Sequence, residues 1–348
     1  MAYGLINADQ IGTSVANTSL GAGDASLMKN RIINGAMTIS QYNGTSSVTP
    51  STTNTYPIDR WQYNASQSSK FAIQQNGGAV TPPVGFINYL GCTSQSAYSV
   101  GASESFVLQQ SIEGLNVYDL GWGSANAKTV TLSFWVYSSL TGTFGGALAN
   151  NGNTRCYPFS YSIPVANTWT QISITIAGDT TGTWTTDNSA GIKLRFSLGA
   201  GATVSGTAGS WSGTNYYSAT GAVSVVGTNG ATFYITGVQL EVGSSATGYE
   251  YRMYQQELAL CQRYAYKLTS DFVGITVTTS GLGGAFYFPV TMRATPAGSS
   301  GSFSMSGGNA GTYAEANGTP RGIQIYNSAN NWTVPANCNV TVTYSAEL

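Results

Sequence analysis

The chain contains no histidine. That absence removes Ser-His-Asp and Cys-His nucleophiles and the common zinc-hydrolase ligand sets together. Cys92, Cys156, Cys261 and Cys338 are scattered and form no CxxC. They read as mostly buried free thiols of a chain made in a reducing cytosol. The 14 Asp and Glu residues stand singly, with no cluster of the EF-hand kind for a hard cation. Glycoside hydrolysis needs only two carboxylates about 5–10 Å apart. Two pairs are open to it, Glu104 with Glu113 and Asp179 with Asp187. The other reading is isolated turn or surface carboxylates, since Asp179 lies in AGDTTGT and Asp187 in TTDNSAG. No Gly-rich stretch leads from a strand into a helix, so phosphate-loop and dinucleotide fingerprints are missing. No metal or other cofactor is expected.

Aromatic side chains in polar loops offer a different chemistry. Trp122 lies in DLGWGSAN, Trp184 in TGTWTTDN, and Trp211, Tyr216 and Tyr217 in GSWSGTNYYSATG. A flat ring presents an apolar face to sugar C–H groups, while neighbouring amides and hydroxyls bond the sugar oxygens. The same rings could instead cover sheet edges or pack between subunits. A glycan site at these five residues needs a scaffold that gathers loops at one end, as sheets do.

The scaffold that the sequence predicts is β-rich. Charged residues make up 8% of the chain, against roughly 25% in ordinary globular proteins. With 22 Tyr, 12 Phe and 7 Trp it is nevertheless too aromatic to be disordered. A net charge of −1 gives no footprint for nucleic acid or an anionic membrane, and so sparsely charged a surface favours assembly. MAYGLINADQIGTSVANTS lacks a basic region and a long apolar core, so no signal peptide is expected. No apolar run is long enough to span a bilayer.

Residues 1–28 read as an extended arm that needs a partner surface. From residue 29 the pattern turns to strands, with KNRIINGAMTISQ alternating and breaking at Asn-Gly. In KTVTLSFWVYSS, Val130, Leu132, Phe134 and Val136 share one face. Long Gly/Ser/Thr/Asn loops are read at 138–154, 177–190 and 199–230. Residues 29–252 are therefore expected to form an antiparallel two-sheet sandwich, a jelly roll. A linking helix is expected within 253–268, where Tyr254, Leu258, Cys261, Ala265 and Leu268 fall on one stripe. So short a helix must pack on something, either its own sandwich or copies of itself. Residues 269–348 return to short strands and read as a small C-terminal β-domain.

NRIINGAMTISQYNG, YPIDRWQY, KTVTLSFWVYSS and ATFYITGVQLEVGSSATGYEYRMYQQELALCQRYAY together resemble an arrangement in bacteriophage tail-fibre and other virion structural proteins. The sandwich also resembles carbohydrate-binding-module jelly rolls. The resemblance covers roughly residues 29–268. It implies a non-enzymatic virion component, assembled in a bacterial cytoplasm and commonly a homotrimer. Residues 1–28 would then dock on other virion proteins and the β-domains would contact a host surface polysaccharide. A capsid-decorating or head-fibre protein is the alternative within that class; a polysaccharide-degrading glycoside hydrolase is the alternative outside it.

Overall fold

The computed structural model describes residues 29–51, 54–272, 276–278, 281–298, 302–306, 313–327 and 337–348. The arm expected over 1–28 lies outside them. The first thirteen strands are β1 (Thr55–Ile58), β2 (Trp61–Ala65), β3 (Phe71–Gln75), β4 (Leu90–Ser94), β5 (Ser105–Glu113), β6 (Val130–Ser138), β7 (Gly142–Asn150), β8 (Cys156–Ile163), β9 (Thr170–Ile176), β10 (Ala190–Ala200), β11 (Ser205–Gly206), β12 (Ser218–Ala219) and β13 (Thr232–Val242). Eleven of them build an antiparallel sandwich. One sheet has the order β1-β2-β5-β10-β7-β8 and the other β3-β4-β13-β6-β9, so the architecture is the expected mainly β jelly-roll sandwich.

Period-two alternation explains the layers. Ile192, Leu194, Phe196 and Leu198 of β10 enter the core, as do Val130, Leu132, Phe134 and Val136 of β6. Lys193 and Arg195 consequently face outward on β10. GVQLEV ends β13 at the centre of the five-stranded sheet, between β4 and β6.

Two expectations fail here. The stretch 138–154, read as a loop, contains β7 between β8 and β10. Its glycines hid it from propensity. A Cβ on Gly146 would lie 2.3 Å from the Arg195 carbonyl oxygen and 2.4 Å from Phe159, so only glycine allows this approach. KNRIINGAMTISQ, read as strands around an Asn-Gly turn, forms no ladder. Two backbone bonds reach β13, Arg31 N–H to the Leu240 carbonyl and Val238 N–H to the Gly35 carbonyl, and side chains satisfy much of the rest. Gln110 exchanges two hydrogen bonds with the Ile33 backbone, and Asn34 (φ 58°) bonds both backbone groups of Ile39. Buried polar side chains under this segment supply the partners that β13 does not.

The helix α1 spans Tyr254–Gln262, shorter than expected. Ala265 and Leu268, assigned to its apolar stripe, lie instead on β14 (Ala265–Phe272), paired with β21 (Asn337–Ser345). Ala265 sits opposite Ser345 and Leu268 opposite Val342. An isolated helix of two heptads is marginal, and an eight-residue antiparallel ladder outcompetes its second half. Of the remaining stripe, Cys261 is buried with Ile33, Ile39 and Tyr264, and Leu258 packs on the same cluster. Tyr254 stays 57% exposed. The stripe is thus split between a helix that packs on its own chain and a strand. β14, β17 (Ala297–Gly298), β18 (Ser302–Ser306) and β21 form one C-terminal sheet. β15 (Thr276–Thr278), β16 (Gly281–Tyr287), β19 (Tyr313–Thr319) and β20 (Gly322–Asn327) form another.

The last residues return to the sandwich. Glu347 forms a buried ion pair with Arg60, whose guanidinium lies 3.5 Å from the Tyr264 ring centroid. Tyr56 donates its hydroxyl to the Leu348 carbonyl at 2.9 Å, and Arg293 donates to the Ala346 and Glu347 carbonyls.

Candidate functional site

Three loops bring Trp122, Trp184 and Trp211 into one corner of the sandwich. Each pair meets edge to face, with centroid separations of 4.8 Å (Trp122–Trp184), 5.3 Å (Trp122–Trp211) and 5.5 Å (Trp184–Trp211). Tyr157 of β8 adds a fourth ring, 5.2 Å from Trp211. The sequence proposed these tryptophans separately; the fold makes them a cluster. Every indole N–H is spent on its own scaffold: Trp122 donates to the Lys128 carbonyl, Trp184 to Thr181 and Trp211 to Ala177. What the rings can offer a ligand is therefore their faces, not their donors. Trp122 is only 8% exposed and belongs to the core. Trp184 and Trp211 are half-buried, amid exposed Thr181, Thr183, Thr186, Ser210 and Thr214.

Beneath the corner, Arg155 holds Asp179 in a two-pronged ion pair, Nε to Oδ2 at 2.7 Å and Nη2 to Oδ1 at 2.8 Å. This pins the loop carrying Trp184 to the tip between β7 and β8. Asn150 completes the join, donating to the Thr183 carbonyl at 3.0 Å. On the other side of that tip lie two outward residues of β10. Lys193 Nζ donates to the Asn151 carbonyl at 2.7 Å and to Asn153 Oδ1 at 3.3 Å. Arg195, 2% exposed, donates to Gln109 Oε1, Asn215 Oδ1, the Tyr216 carbonyl and Asn153 Oδ1. Burial, and after it the neighbouring Arg195, brings the Lys193 ammonium down to about 8.

Tyr216 and Tyr217 are near this second group rather than in the tryptophan corner. Tyr217 lies over Arg195, its centroid 4.2 Å from the guanidinium carbon. Tyr216 packs on Ala147, Ala149 and Cys156. One continuous loop therefore carries Trp211 to the corner and Tyr217 to the outer face.

Glu104 and Glu113 do not assemble. Glu104 and Glu113 stand at opposite ends of β5, separated by roughly 30 Å of extended chain at 3.3 Å per residue. That distance rules the pair out of the spacing hydrolysis requires. Glu113 is buried against Arg263 and Tyr264, its carboxylate accepting at 2.5–2.9 Å. Asp179 is committed to Arg155, and Asp187 accepts from its neighbour Ser189. Among the described residues no three His, Cys, Asp or Glu side chains gather to hold a metal ion.

Sequence reasoning missed a second aromatic cluster, on the outer face of the five-stranded sheet, in which Tyr89 and Tyr234 are buried and Tyr137 and Trp169 are half-buried. Tyr137 and Tyr234 stack at 5.2 Å with their planes 6° apart. Tyr89 and Trp169 adjoin them, each ring centroid 5.2–5.5 Å from its neighbours. The signal was available. Once Phe134 and Val136 point inward, Tyr137 must point outward; once Phe233 and Ile235 do, so must Tyr234.

No protein-family model matches the chain, and no curated protein matches it. Among solved structures, the enzymatically active domain of tailspike protein 4 from bacteriophage CBA120 aligns at 12% identity and a TM-score of 0.34, over 62% of this chain and 22% of that one. The chain thus spans about a fifth of the tailspike's length. A family 11 carbohydrate-binding module from Clostridium thermocellum, in complex with a β-1,3-1,4-mixed-linked tetrasaccharide, aligns at 12% identity and a TM-score of 0.29, covering 59% of this chain and 100% of that one. A family 61 module in complex with β-1,4-galactotriose aligns at 11% identity and a TM-score of 0.31, over 62% and 99%.

Proposed function

We propose that this chain binds glycans through the tryptophan corner, with Trp184 and Trp211 as the stacking faces. One observation carries the reading. Two half-exposed indoles are locked at a right angle, their N–H groups already satisfied, amid exposed hydroxyls. Rigid rings lose little conformational freedom on stacking, and the surrounding Thr and Ser oxygens supply the hydrogen bonds a sugar needs. A glycan array followed by titration calorimetry tests it. Trp211→Ala and Trp184→Ala should each weaken binding about tenfold or more, while Trp169→Ala leaves it unchanged. The reverse pattern would move the site to half-buried Tyr137 and Trp169, which is the second reading. An array without binding removes both.

The wider role in this proposal is that of a non-enzymatic virion component, a homotrimeric tail fibre contacting a host surface polysaccharide. A capsid-decorating or head-fibre protein is the runner-up within that class. Exposed Tyr251, Met253 and Tyr254 support self-association. Tyr251 packs on Phe86, which lies between exposed Val84 and Ile87, so these side chains form part of one apolar surface. Native mass spectrometry should give three chains; a monomer at micromolar concentration overturns the fibre. The hydrolase reading requires reducing ends released from polysaccharide and abolished by Asp179→Asn.

A further inference from the structure

Lys193 and Arg195 present a problem of charge. Both point outward from β10, two residues apart, and both lie largely out of water. Arg195 is as buried as a core side chain, yet its acceptors are three amide oxygens and one peptide carbonyl. Six ion pairs join described residues, and none of them includes Lys193 or Arg195. Asp179, at the same β7–β8 tip, is occupied by Arg155. Two neighbouring, partly desolvated cations with no carboxylate partner among the described residues are unfavourable unless something else compensates them. Hydrogen bonds to amides satisfy the donors but leave the charge.

The surroundings are built to hold this arrangement. Asn153 has a positive φ of 54° at the β7–β8 tip, and its Oδ1 accepts from both cations. Asn215 reaches Arg195 from the loop that also carries Trp211. Tyr217 covers the guanidinium with its ring. Arg195 thus fixes Asn153, Asn215 and Tyr217, while half-buried Lys193 is the cation a ligand could touch. The same tip is tied through Asn150 to the Trp184 loop, so one β7–β8 tip connects the two cations to the loop of the tryptophan corner.

We infer that Lys193 and Arg195 form an anion-selecting subsite beside the tryptophan corner, specifying a glycan that carries a carboxylate, such as a uronic acid. Lys193 makes the charge-assisted contact, and Arg195 is a positioning residue that also supplies the positive field. The inference rests on the glycan-binding reading and narrows it to acidic glycans.

Two measurements test it on the whole chain. Calorimetry compares a galacturonate trimer with the galactose trimer of the same linkage, which differ only at C6. The wild type should prefer the acidic trimer by about tenfold, the scale of a charge-assisted bond, and Lys193→Gln should abolish that preference. Asn153→Gly, which keeps the positive φ at no steric cost, should abolish it too without loss of fold. Equal affinity for the two trimers in the wild type overturns the subsite and leaves the glycan reading standing.

If neither trimer binds, the titration of the Lys193 ammonium by NMR decides the subsite independently. Galacturonate monomer should raise its midpoint, galactose should not, and Lys193→Gln removes the signal. A midpoint unmoved by galacturonate overturns the proposal. One moved only by inorganic phosphate overturns the carboxylate assignment.

Discussion

Trp122 and Trp184 touch each other, yet the geometry assigns them different work. Trp122 is buried in the sandwich core and its N–H closes the loop ending at Lys128. Trp122→Ala should cost about 3–5 kcal/mol of stability, the range for truncating a buried tryptophan. Trp184 is half-buried at the surface of the same cluster, so Trp184→Ala should destabilise less and act mainly on glycan affinity. Urea denaturation beside calorimetry separates the two effects. If Trp184→Ala proved the more destabilising, the corner would be a loop staple rather than a binding face. Asp59 offers a second test at this scale. It is buried, and burial pushes its carboxyl up to about 6, against an ordinary value near 3.9. The folded state therefore holds this proton more tightly than the unfolded state does. Its stabilising contribution is complete below about pH 4 and is lost as pH rises through 6. Glu347 is raised in the same direction, chiefly by burial, and adds to the trend. Melting temperature should fall between pH 5 and pH 7.5. Asp59→Asn should flatten most of that fall, about 1–1.5 kcal/mol, because only about one unit of the shift lies between pH 5 and the folded value of about 6. A variant with the wild-type slope would place the effect elsewhere.

Among the elements, the helix α1 and strand β7 show how packing overrides local pattern. Leu258 packs on Ile33, Ile39, Cys261 and Tyr264 of its own chain. Leu258→Asp should therefore lower stability by about 1–3 kcal/mol, because a charge replaces a half-buried apolar contact. The mass measured by light scattering should not change. A change in oligomer mass at unchanged stability would return Leu258 to an interface between copies. Within β7, Gly145 and Gly146 serve contact rather than flexibility. A Cβ on Gly145 would lie 2.5 Å from Ser218 Oγ, and one on Gly146 2.3 Å from the Arg195 carbonyl. This is how the β11–β12 loop settles over the sheet and carries Tyr217 to Arg195.

Across the whole molecule, the final residues fasten the C-terminal sheets to the sandwich. The Arg60–Glu347 pair is buried on both sides, and Gln41 bridges Asp59 to the Ala265 carbonyl. Glu347→Ala would leave Arg60 charged, buried and unpaired, a loss of about 3–5 kcal/mol. Arg60→Met with Glu347→Ala should recover part of it, measurable by denaturation of both variants. Failure to recover would mean that Arg60 matters through Tyr264 and the Ser111 carbonyl instead. The sequence by itself determined the β-sandwich. Alternation along β5, β6, β9, β10 and β13 selects strands and a buried face, and that pattern is local. It also marked Trp122, Trp184 and Trp211 as aromatics in polar loops, and the same alternation already implied the outward Tyr137 and Tyr234. Only the tertiary structure decided what these residues do together. Whether three indoles meet, whether Glu104 and Glu113 can cooperate, and whether Ala265 ends a helix or starts a strand depend on pairings between residues distant in sequence. Such pairings come from register and burial, which no short window encodes. The charge of Arg195 is of the same kind: that no ion pair among the described residues reaches it is visible only in the folded arrangement.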